Sequence, residues 1–324
     1  SVTRFEGQAF SYSSLTSIII PDSVSSMGGL VFDQCHSLTG ITVSVSNIAF
    51  SSRDGVLFNQ PQTTLITYPN GKTGSYSIPD GVTRIGNSAF HSCANLTGIT
   101  IPNSVTYIEE AAFGYCTGLT SITVPNSVTN TGSGAFYECM NLTELYFCGN
   151  APVTGSSIFE ATPNVTIYYL LGTTGWPPVP DLWEGRPTAL WLPKVLDDGS
   201  LGVQAGQFGF SAGWADGKAV VVEATTNLTA SNWVSVVTKT LTNGTFYFSD
   251  VDWGEFSNRF YRLRPTDTTI RHQPLMYDLP FEGYLDIDIN NDYVKDLYFY
   301  SGRYPSGNMI VQIVQIGGAI LLTT

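Results

Sequence analysis

The side chains best suited to chemistry in this sequence are a run of oxygen donors near its C-terminal end. Asp288, Asn290, Asp292 and Asp296 fit the spacing D-x-N-x-D-x-x-x-D, and Val294 lies between the last two. Oxygen ligands at alternate positions converge on a hard cation when a loop curls, and the backbone carbonyl of Val294 can complete the set. The spacing therefore predicts a calcium loop formed by these five residues.

The charge around this loop also favours a bound cation. Five acidic residues and one lysine lie between Glu282 and Asp296. Carboxylates this close repel one another, and a divalent cation would remove that repulsion. A merely solvated acidic turn stays open as the alternative, because Tyr293 stands where such loops usually have glycine and no second loop is present. The sequence indicates no required cofactor, and Ca²⁺ is the one ion for which it predicts a binding site.

Four of the five cysteines share one spacing. Cys35, Cys93, Cys116 and Cys139 each lie three residues after a phenylalanine, whereas Cys148 does not. Thiols stacked side by side do not point toward each other as a disulfide requires, and no C-x-x-C pair is present for zinc. We therefore predict a ladder of buried thiols.

Catalytic patterns are scarce. His36 follows Cys35 and His91 precedes Cys93 by two, but the two histidines lie four and one residues after their phenylalanines. We therefore predict that both are variable surface positions rather than parts of a Cys-His dyad. No G-x-S-x-G, H-E-x-x-H or P-loop string occurs. The sequence predicts a protein that is not an enzyme.

The composition favours an extracellular protein. Charged residues make up 12% of the 324, about half the usual share, so Ser, Thr, Asn and Gly must cover the surface. The net charge of −12 argues against nucleic acid as a partner. No apolar run reaches the roughly 18 to 20 residues that a membrane span needs. The sequence opens as if inside a repeat, so we expect an earlier natural start, and the missing signal peptide carries little weight.

An internal repeat must determine where the cysteines and histidines discussed above lie. Phe90, Phe113, Phe136 and Phe159 are each 23 residues apart. The triplet Ile99–Ile101 has the period of two expected of a strand with one buried face, and the proline after it ends the strand. One unit is too small to bury its own apolar side chains, so neighbouring units must stack about 4.8 Å apart, phenylalanine on phenylalanine and cysteine on cysteine. The period therefore predicts a solenoid.

This unit resembles the BspA-type leucine-rich repeat, which is found in bacterial surface proteins. The resemblance covers roughly residues 1–191 and rests on the string SVTxIGxxAFxxCxxLTxITIP. The less regular stretch with Asp54–Phe58 and Tyr68–Lys72 looks like a longer unit of the same family. The family implies adhesion or protein binding and brings no catalytic residues with it. The acidic loop, in turn, is similar to the calcium loops of FG-GAP-like bacterial repeats.

After Asn150 the repeat decays, and a different pattern follows. An open solenoid end needs a cover, and we predict that Trp176, Trp183 and Trp191 supply it. Further on, short alternating strands are expected at residues 219–224, 233–237, 245–248 and 259–264. Their spacing is typical of an antiparallel sandwich, and the region also resembles a module near the end of secreted bacterial proteins.

We therefore predict a mainly β chain. Its expected parts are a leucine-rich-repeat solenoid (1–149), a cap and linker (150–191), a small antiparallel β-sandwich (192–265) and a β-rich acidic C-terminal segment (266–324).

A binding function should lie at the outward strand positions. These are Ile19, Thr42, Thr100, Thr123 and Tyr146. The surface they predict is flat, hydroxyl-rich and nearly uncharged, so electrostatic steering of a partner is weak. We predict a non-catalytic protein, extracellular or on the cell surface, that binds a protein or a glycan through this face. A passive structural spacer and an appendage of a larger secreted enzyme are the alternatives left open.

Overall fold

The computed structural model describes residues 2–177, 181–227, 232–256 and 259–266, and beyond them the strands Gly283–Ile287, Leu297–Arg303 and Met309–Gln315. The chain divides into two compact units, Ser1–Leu190 and Trp191–Thr324. Both consist of strands and turns, and the described residues contain one helical turn, a 3-10 helix at Trp253–Glu255. The predicted mainly β fold is confirmed. Among the described helical residues, none forms a helix long and apolar enough to cross a membrane.

The first unit is a solenoid in which each regular coil contributes one longer and one short strand. The strands described for this unit are β1 (Arg4–Phe5), β2 (Ser17–Ile20), β3 (Ser26–Met27), β4 (Gly40–Val43), β5 (Phe50–Arg53), β6 (Val56–Asn59), β7 (Thr64–Thr67), β8 (Gly74–Ser77), β9 (Arg84–Ile85), β10 (Leu96–Thr100), β11 (Tyr107–Ile108), β12 (Ser121–Val124), β13 (Asn130–Thr131), β14 (Glu144–Phe147), β15 (Val153–Thr154), β16 (Thr166–Tyr169), β17 (Leu182–Trp183) and β18 (Arg186–Leu190). The longer strands form the parallel ladders β2-β4, β10-β8 and β12-β14-β16-β18. The two-residue strands form the ladders β1-β3 and β9-β11-β13-β15, and the four-residue β7 extends the second of these beside β9. Each coil ends in a segment without strand, centred on the repeat phenylalanine, which we term the turn leg.

The repeat phenylalanines form the predicted ladder. The rings of Phe90 and Phe113 stack at 5.1 Å, those of Phe113 and Phe136 at 5.6 Å, and those of Phe136 and Phe159 at 5.8 Å. Phe10 and Phe32 stack at 5.6 Å in the same manner. Because Phe90, Phe113 and Phe136 are fully buried, each coil shields the ring of its neighbour, which no single coil can do.

Backbone hydrogen bonds join successive turn legs in a fixed pattern. In the coils of Phe10, Phe90, Phe113 and Phe136, three N–H groups, at the phenylalanine and two residues to either side, donate to carbonyls of the next coil. For the coil of Phe90 the pairs are Ser88 to Glu110 (2.9 Å), Phe90 to Ala112 (2.8 Å) and Ser92 to Gly114 (2.9 Å). The outer two donors have positive φ, 54° at Ser88 and 60° at Ser92. Positive φ therefore recurs at every fourth residue of the turn leg, and every second N–H points toward the next coil.

The predicted longer unit interrupts this regular stack. Its strands β5, β6 and β7 form an antiparallel meander, and β7 continues into the short-strand ladder through β9. Along β6, Val56 and Phe58 pack into the core of the later coils, whereas Leu57 packs into the core of the first two coils. A strand that is buried on both faces therefore separates two hydrophobic cores.

Tryptophans close the far end of the first unit. Trp176 lies 5.0 Å from the ring of Phe147 and 5.0 Å from Trp183, and Trp183 packs edge-on against Phe159 at 6.0 Å. The predicted cover is confirmed for these two residues. Trp191, the third residue predicted for it, belongs to the second unit.

The strand pairings described for the second unit are antiparallel. Its described strands are β19 (Lys194–Val195), β20 (Gly202–Gln204), β21 (Gln207–Gly213), β22 (Ala219–Thr225), β23 (Val234–Thr240), β24 (Thr245–Asp250), β25 (Phe260–Pro265), β26 (Gly283–Ile287), β27 (Leu297–Arg303) and β28 (Met309–Gln315). One sheet contains β19, β20, β21 and β24, a second has the order β23-β22-β25, and a third has the order β26-β27-β28. The first two share one core, in which Phe208 stacks on Tyr261 at 5.1 Å. β22 to β25 coincide with the four predicted strands to within a few residues.

Candidate functional site

The five predicted binding residues all lie on the longer strands, but on three separate ladders. Ile19 is directly opposite Thr42 in β2-β4, and Thr123 is directly opposite Tyr146 in β12-β14. Thr100 pairs instead with Ser77 of β8. Ile19 is 70% exposed and the three threonines are exposed, whereas Tyr146 is half-buried. The structure therefore joins four of the five residues in two pairs and leaves Thr100 beside Ser77 of β8.

Sequence reasoning missed a sixth member of this surface, Tyr168. It lies opposite Tyr146 in the β14-β16 pairing, and the two rings stack at 4.9 Å with their planes 23° apart. Tyr168 occupies the outward position of a decayed repeat, and the pair Tyr168-Tyr169 in that strand was the signal that could have found it. We term Ile19, Thr42, Thr100, Thr123, Tyr146 and Tyr168 the strand face.

The tyrosine pair is held as a neutral hydrogen-bonding platform. Burial first, and then the negative charge of Glu144, raise the pKa of both Tyr146 and Tyr168 above the ordinary value for tyrosine. Both phenols therefore stay protonated near neutral pH. An aromatic surface with hydroxyl groups and one adjacent carboxylate can stack against a flat apolar partner group and exchange hydrogen bonds with it.

A second constellation lies where the longer unit interrupts the turn legs. His91 Nδ1 is 2.8 Å from Asp33 Oδ1, and Ser92 Oγ donates to the same oxygen at 2.8 Å. The His91 side chain is only 13% exposed. The prediction of a surface position is therefore correct for His36, which is exposed, but wrong for His91. Because Asp33 precedes His91 by 58 residues, across the irregular unit, the 23-residue period could not reveal their contact.

This constellation does not have the geometry of a nucleophilic triad. Asp33 and Ser92 both contact Nδ1 of His91, at 2.8 and 3.0 Å, whereas a Ser-His-Asp triad places serine and carboxylate on opposite ring nitrogens. The nearby thiol of Cys93 is no nucleophile either, because burial raises its pKa to about 12 despite the opposing hydrogen bond from Asn70. The contacts instead tie the second coil to the third, together with Gln34 Nε2, which donates to Ser92 Oγ at 2.9 Å.

The predicted thiol ladder is confirmed. Cys35, Cys93, Cys116 and Cys139 are buried and unoxidised. The structure adds what the spacing could not show, since each Sγ points back to a backbone carbonyl of the preceding coil. Cys116 donates to Phe90 O at 3.0 Å and Cys139 to Phe113 O at 2.9 Å.

The residues of the predicted calcium loop, Asp288, Asn290, Asp292, Val294 and Asp296, lie outside the described residues, between β26 and β27. The loop therefore stays a prediction.

Comparison with known proteins decides the family. The profile described as "BspA type Leucine rich repeat region" matches in six copies, over residues 3–73 and 67–173. The chain belongs to the BspA-type leucine-rich-repeat family. No curated protein gives a significant match to this BspA-type chain.

Several solved structures resemble the BspA-type chain. A leucine-rich repeat protein from Eubacterium ventriosum is 27% identical, with a TM-score of 0.49 over 60% of this chain and 54% of that one. A leucine rich cell surface protein from Faecalibacterium prausnitzii is 28% identical, with a TM-score of 0.42 over 52% and 51%. The pneumococcal vaccine antigen PcpA is 24% identical, with a TM-score of 0.42 over 52% and 48%. The BspA-type chain thus spans about half the length of the solved proteins that it matches.

Proposed function

We propose that this chain is a non-catalytic extracellular or cell-surface protein that binds a protein or a glycan through its strand face. The observation that carries the proposal is the in-register column of Thr123, Tyr146 and Tyr168, in which the two rings stack at 4.9 Å beside Glu144. Tyrosine is enriched at protein interfaces because its ring supplies contact area and its hydroxyl a hydrogen bond.

Membership of the BspA-type family and the sparse charge of the sequence support the same proposal. A solenoid repeats one side-chain position at a fixed spacing, so a partner with its own repeat can contact several coils at once. Several weak contacts made at once give a slow overall dissociation. This compensates for slow association, since the surface has little charge to attract its partner.

A panel of purified glycans and extracellular proteins tests the proposal. We expect at least one ligand to bind the full chain and to be lost when Thr100, Thr123 and Tyr146 are all changed to lysine. The matched control changes Thr106, Thr129 and Tyr137 to lysine, two threonines and one tyrosine that lie on other sides of the coils. Circular dichroism melting should show that both triple variants remain folded.

The result also distinguishes the alternatives. Binding that survives the strand-face variant but not the control moves the site to another side of the solenoid. A panel with no ligand at all supports the passive spacer, and turnover of a bound glycan contradicts the non-catalytic assignment.

A further inference from the structure

The turn leg of the second coil lacks the hydrogen-bonding partner that its neighbours have. Leu30 and Gln34 have φ of 57° each, close to the 61° of Gln8 and Tyr12 in the coil before, so their N–H groups take the same direction. In the coils of Phe10, Phe90, Phe113 and Phe136, all three such N–H groups donate to the next turn leg. Within the described residues, the N–H groups of Leu30, Phe32 and Gln34 donate to no acceptor.

The reason is the path of the longer unit. Tyr68 takes the place of the repeat phenylalanine against the third coil, since its N–H donates to Ala89 O at 2.7 Å and its ring lies 5.2 Å from that of Phe90. The chain then turns away after Asn70, whose side-chain amide replaces one peptide group. It accepts from Cys35 N at 3.2 Å and donates to His91 O at 2.6 Å. The remainder of a turn leg is missing.

A cleft of about 570 Å³ lies where the missing part of the turn leg would be. One wall is formed by residues 26–33 of the second coil and the opposite wall by residues 86–88 and His91 of the third, with β7 and Tyr68 between them. The contact of Asp33 with His91 closes one end. Two of the three N–H groups without acceptors, those of Leu30 and Phe32, therefore lie in the wall of a cavity rather than against another coil, whereas Gln34 lies beyond the closed end.

We propose that this cleft binds an extended segment of a partner polypeptide, whose carbonyls at alternate residues accept hydrogen bonds from the N–H groups of Leu30 and Phe32. Backbone donors left without partners beside apolar surface favour any chain that can satisfy them, which is the basis of recognition by strand addition. The turn legs of the other coils show the required acceptor pattern, one carbonyl at every second residue. This proposal is independent of the strand face.

The charge of the lining restricts the segment further. Asp33 and Glu109 line the cleft, and neither lysine nor arginine is among its described lining residues. Glu109 is already paired with Arg84 at 2.7 Å and Asp33 with His91 at 2.8 Å, so the described lining offers no unpaired cation to an acidic segment, and the bound segment is uncharged or basic.

Amide exchange of the full-length, isotopically labelled chain tests the proposal directly. In the free protein, we expect the amides of Leu30, Phe32 and Gln34 to exchange at least about tenfold faster than those of Phe10, Phe90 and Phe113. The probe is a capped peptide with the sequence of residues 86–92, Gly-Asn-Ser-Ala-Phe-His-Ser, which is an uncharged turn leg of the protein itself. Saturation with this peptide should slow exchange of the Leu30 and Phe32 amides at least about tenfold. Slow exchange in the free protein, or no protection at millimolar peptide, overturns the proposal.

Gly29 provides a blocking variant that should fold. It lines the cleft at an exposed position, and a Cβ added there meets no atom within 4 Å. We expect Gly29→Trp to raise the dissociation constant of the peptide at least about tenfold and to leave the melting temperature of the protein unchanged. The matched control is Gly40→Trp on β4, where an added Cβ is equally free, and it should bind normally.

If the Gly29→Trp variant and the unaltered chain bind the peptide equally well, the proposal that the cleft is the binding site is wrong. The triple lysine variant of the strand face should bind the peptide normally. These experiments therefore distinguish a failure of the cleft proposal from a failure of the strand-face proposal.

Discussion

Cys139 Sγ donates a hydrogen bond to the carbonyl of Phe113 in the preceding coil at 2.9 Å. One repeat later, at the same position, Thr162 Oγ1 donates to the carbonyl of Phe136 at 2.6 Å. Threonine replaces cysteine there without loss of the contact. The position therefore requires a small side chain with a hydrogen-bond donor rather than sulfur as such.

Substitution at Cys139 tests this requirement. Cys139→Thr keeps a donor, whereas Cys139→Val has nearly the same shape but none. We expect the valine variant to be less stable than the threonine variant by about 1 kcal/mol, the net contribution of one buried hydrogen bond. Urea denaturation followed by circular dichroism measures the difference. A valine variant as stable as the threonine variant would show that only packing matters at this position.

The buried thiols also predict a dependence of stability on alkaline pH. Burial, as the main cause, raises the pKa of Cys93 and of Cys139 from the ordinary 9.0 to about 12. Above pH 9 these thiols ionise in the unfolded chain but not in the folded one. The free energy of unfolding should therefore be unaffected below pH 9 and should fall as pH rises from 9 toward 12, by at most about 1.4 kcal/mol per pH unit for each thiol.

Urea midpoints at pH 8, 9.5 and 10.5 check this dependence. The Cys139→Thr variant carries one ionisable group fewer and should lose stability less steeply over the same range. Identical slopes for the variant and the unaltered chain would contradict the assignment, since other groups such as tyrosines would then account for the whole loss.

The regular coils could be predicted from the sequence because one physical rule repeats in them. A 23-residue period fixes which side chains stack, so the positions of Phe113 and Cys116 follow from those of Phe90 and Cys93. The alternation in Ile99–Ile101 likewise fixes which residues face outward. These features depend only on spacing and burial, and spacing is visible in the sequence.

The contacts across the longer unit could not be predicted, because the period is lost there. Tyr68 replaces a phenylalanine outside the repeat register, and the amide of Asn70 acts as a peptide group only because the chain turns beside two coils. The contact of Asp33 with His91 joins coils on either side of the unit. The positions of His36 and His91 within the repeat, from which we predicted surface histidines, cannot reveal such a contact.

The calcium loop remains a sequence prediction that a simple measurement can check. If Asp288, Asn290, Asp292, Val294 and Asp296 bind Ca²⁺, the ion should stabilise the folded chain, by about 2.7 kcal/mol at a concentration one hundred times its dissociation constant. Thermal melting in calcium chloride and in chelator measures the shift. We expect Asp292→Ala to abolish it. Equal melting temperatures with calcium and with chelator would favour the alternative, a solvated acidic turn.

An ion cluster in the second unit gives the last prediction. Glu223 on β22 is nearly buried and accepts from Arg262 Nε at 2.7 Å and from Arg264 Nε at 2.6 Å. The two arginines alternate along β25 and so lie on one face of the sheet, and Arg262 also packs 4.4 Å from the ring centre of Trp233. Removing the carboxylate leaves two guanidinium groups without their shared partner. We expect Glu223→Gln to destabilise the second unit by about 3 kcal/mol, as measured for broken buried ion pairs.

The pH dependence of the same variant separates charge from packing. Burial pushes the pKa of Glu223 upward, but the hydrogen bonds and charges of Arg264 and Arg262 outweigh it and hold the pKa below its ordinary 4.5. The stability due to this group is therefore present above pH 4.5 and is lost as pH falls through the lower folded value. Between pH 6 and pH 3, the melting temperature should fall more steeply with decreasing pH for the unaltered chain than for Glu223→Gln. Glu255→Gln, at an exposed position of the same unit, is the matched control and should change neither stability nor slope. Parallel acid curves for the unaltered chain and Glu223→Gln would mean that the carboxylate fills space in the sheet without stabilising it by charge.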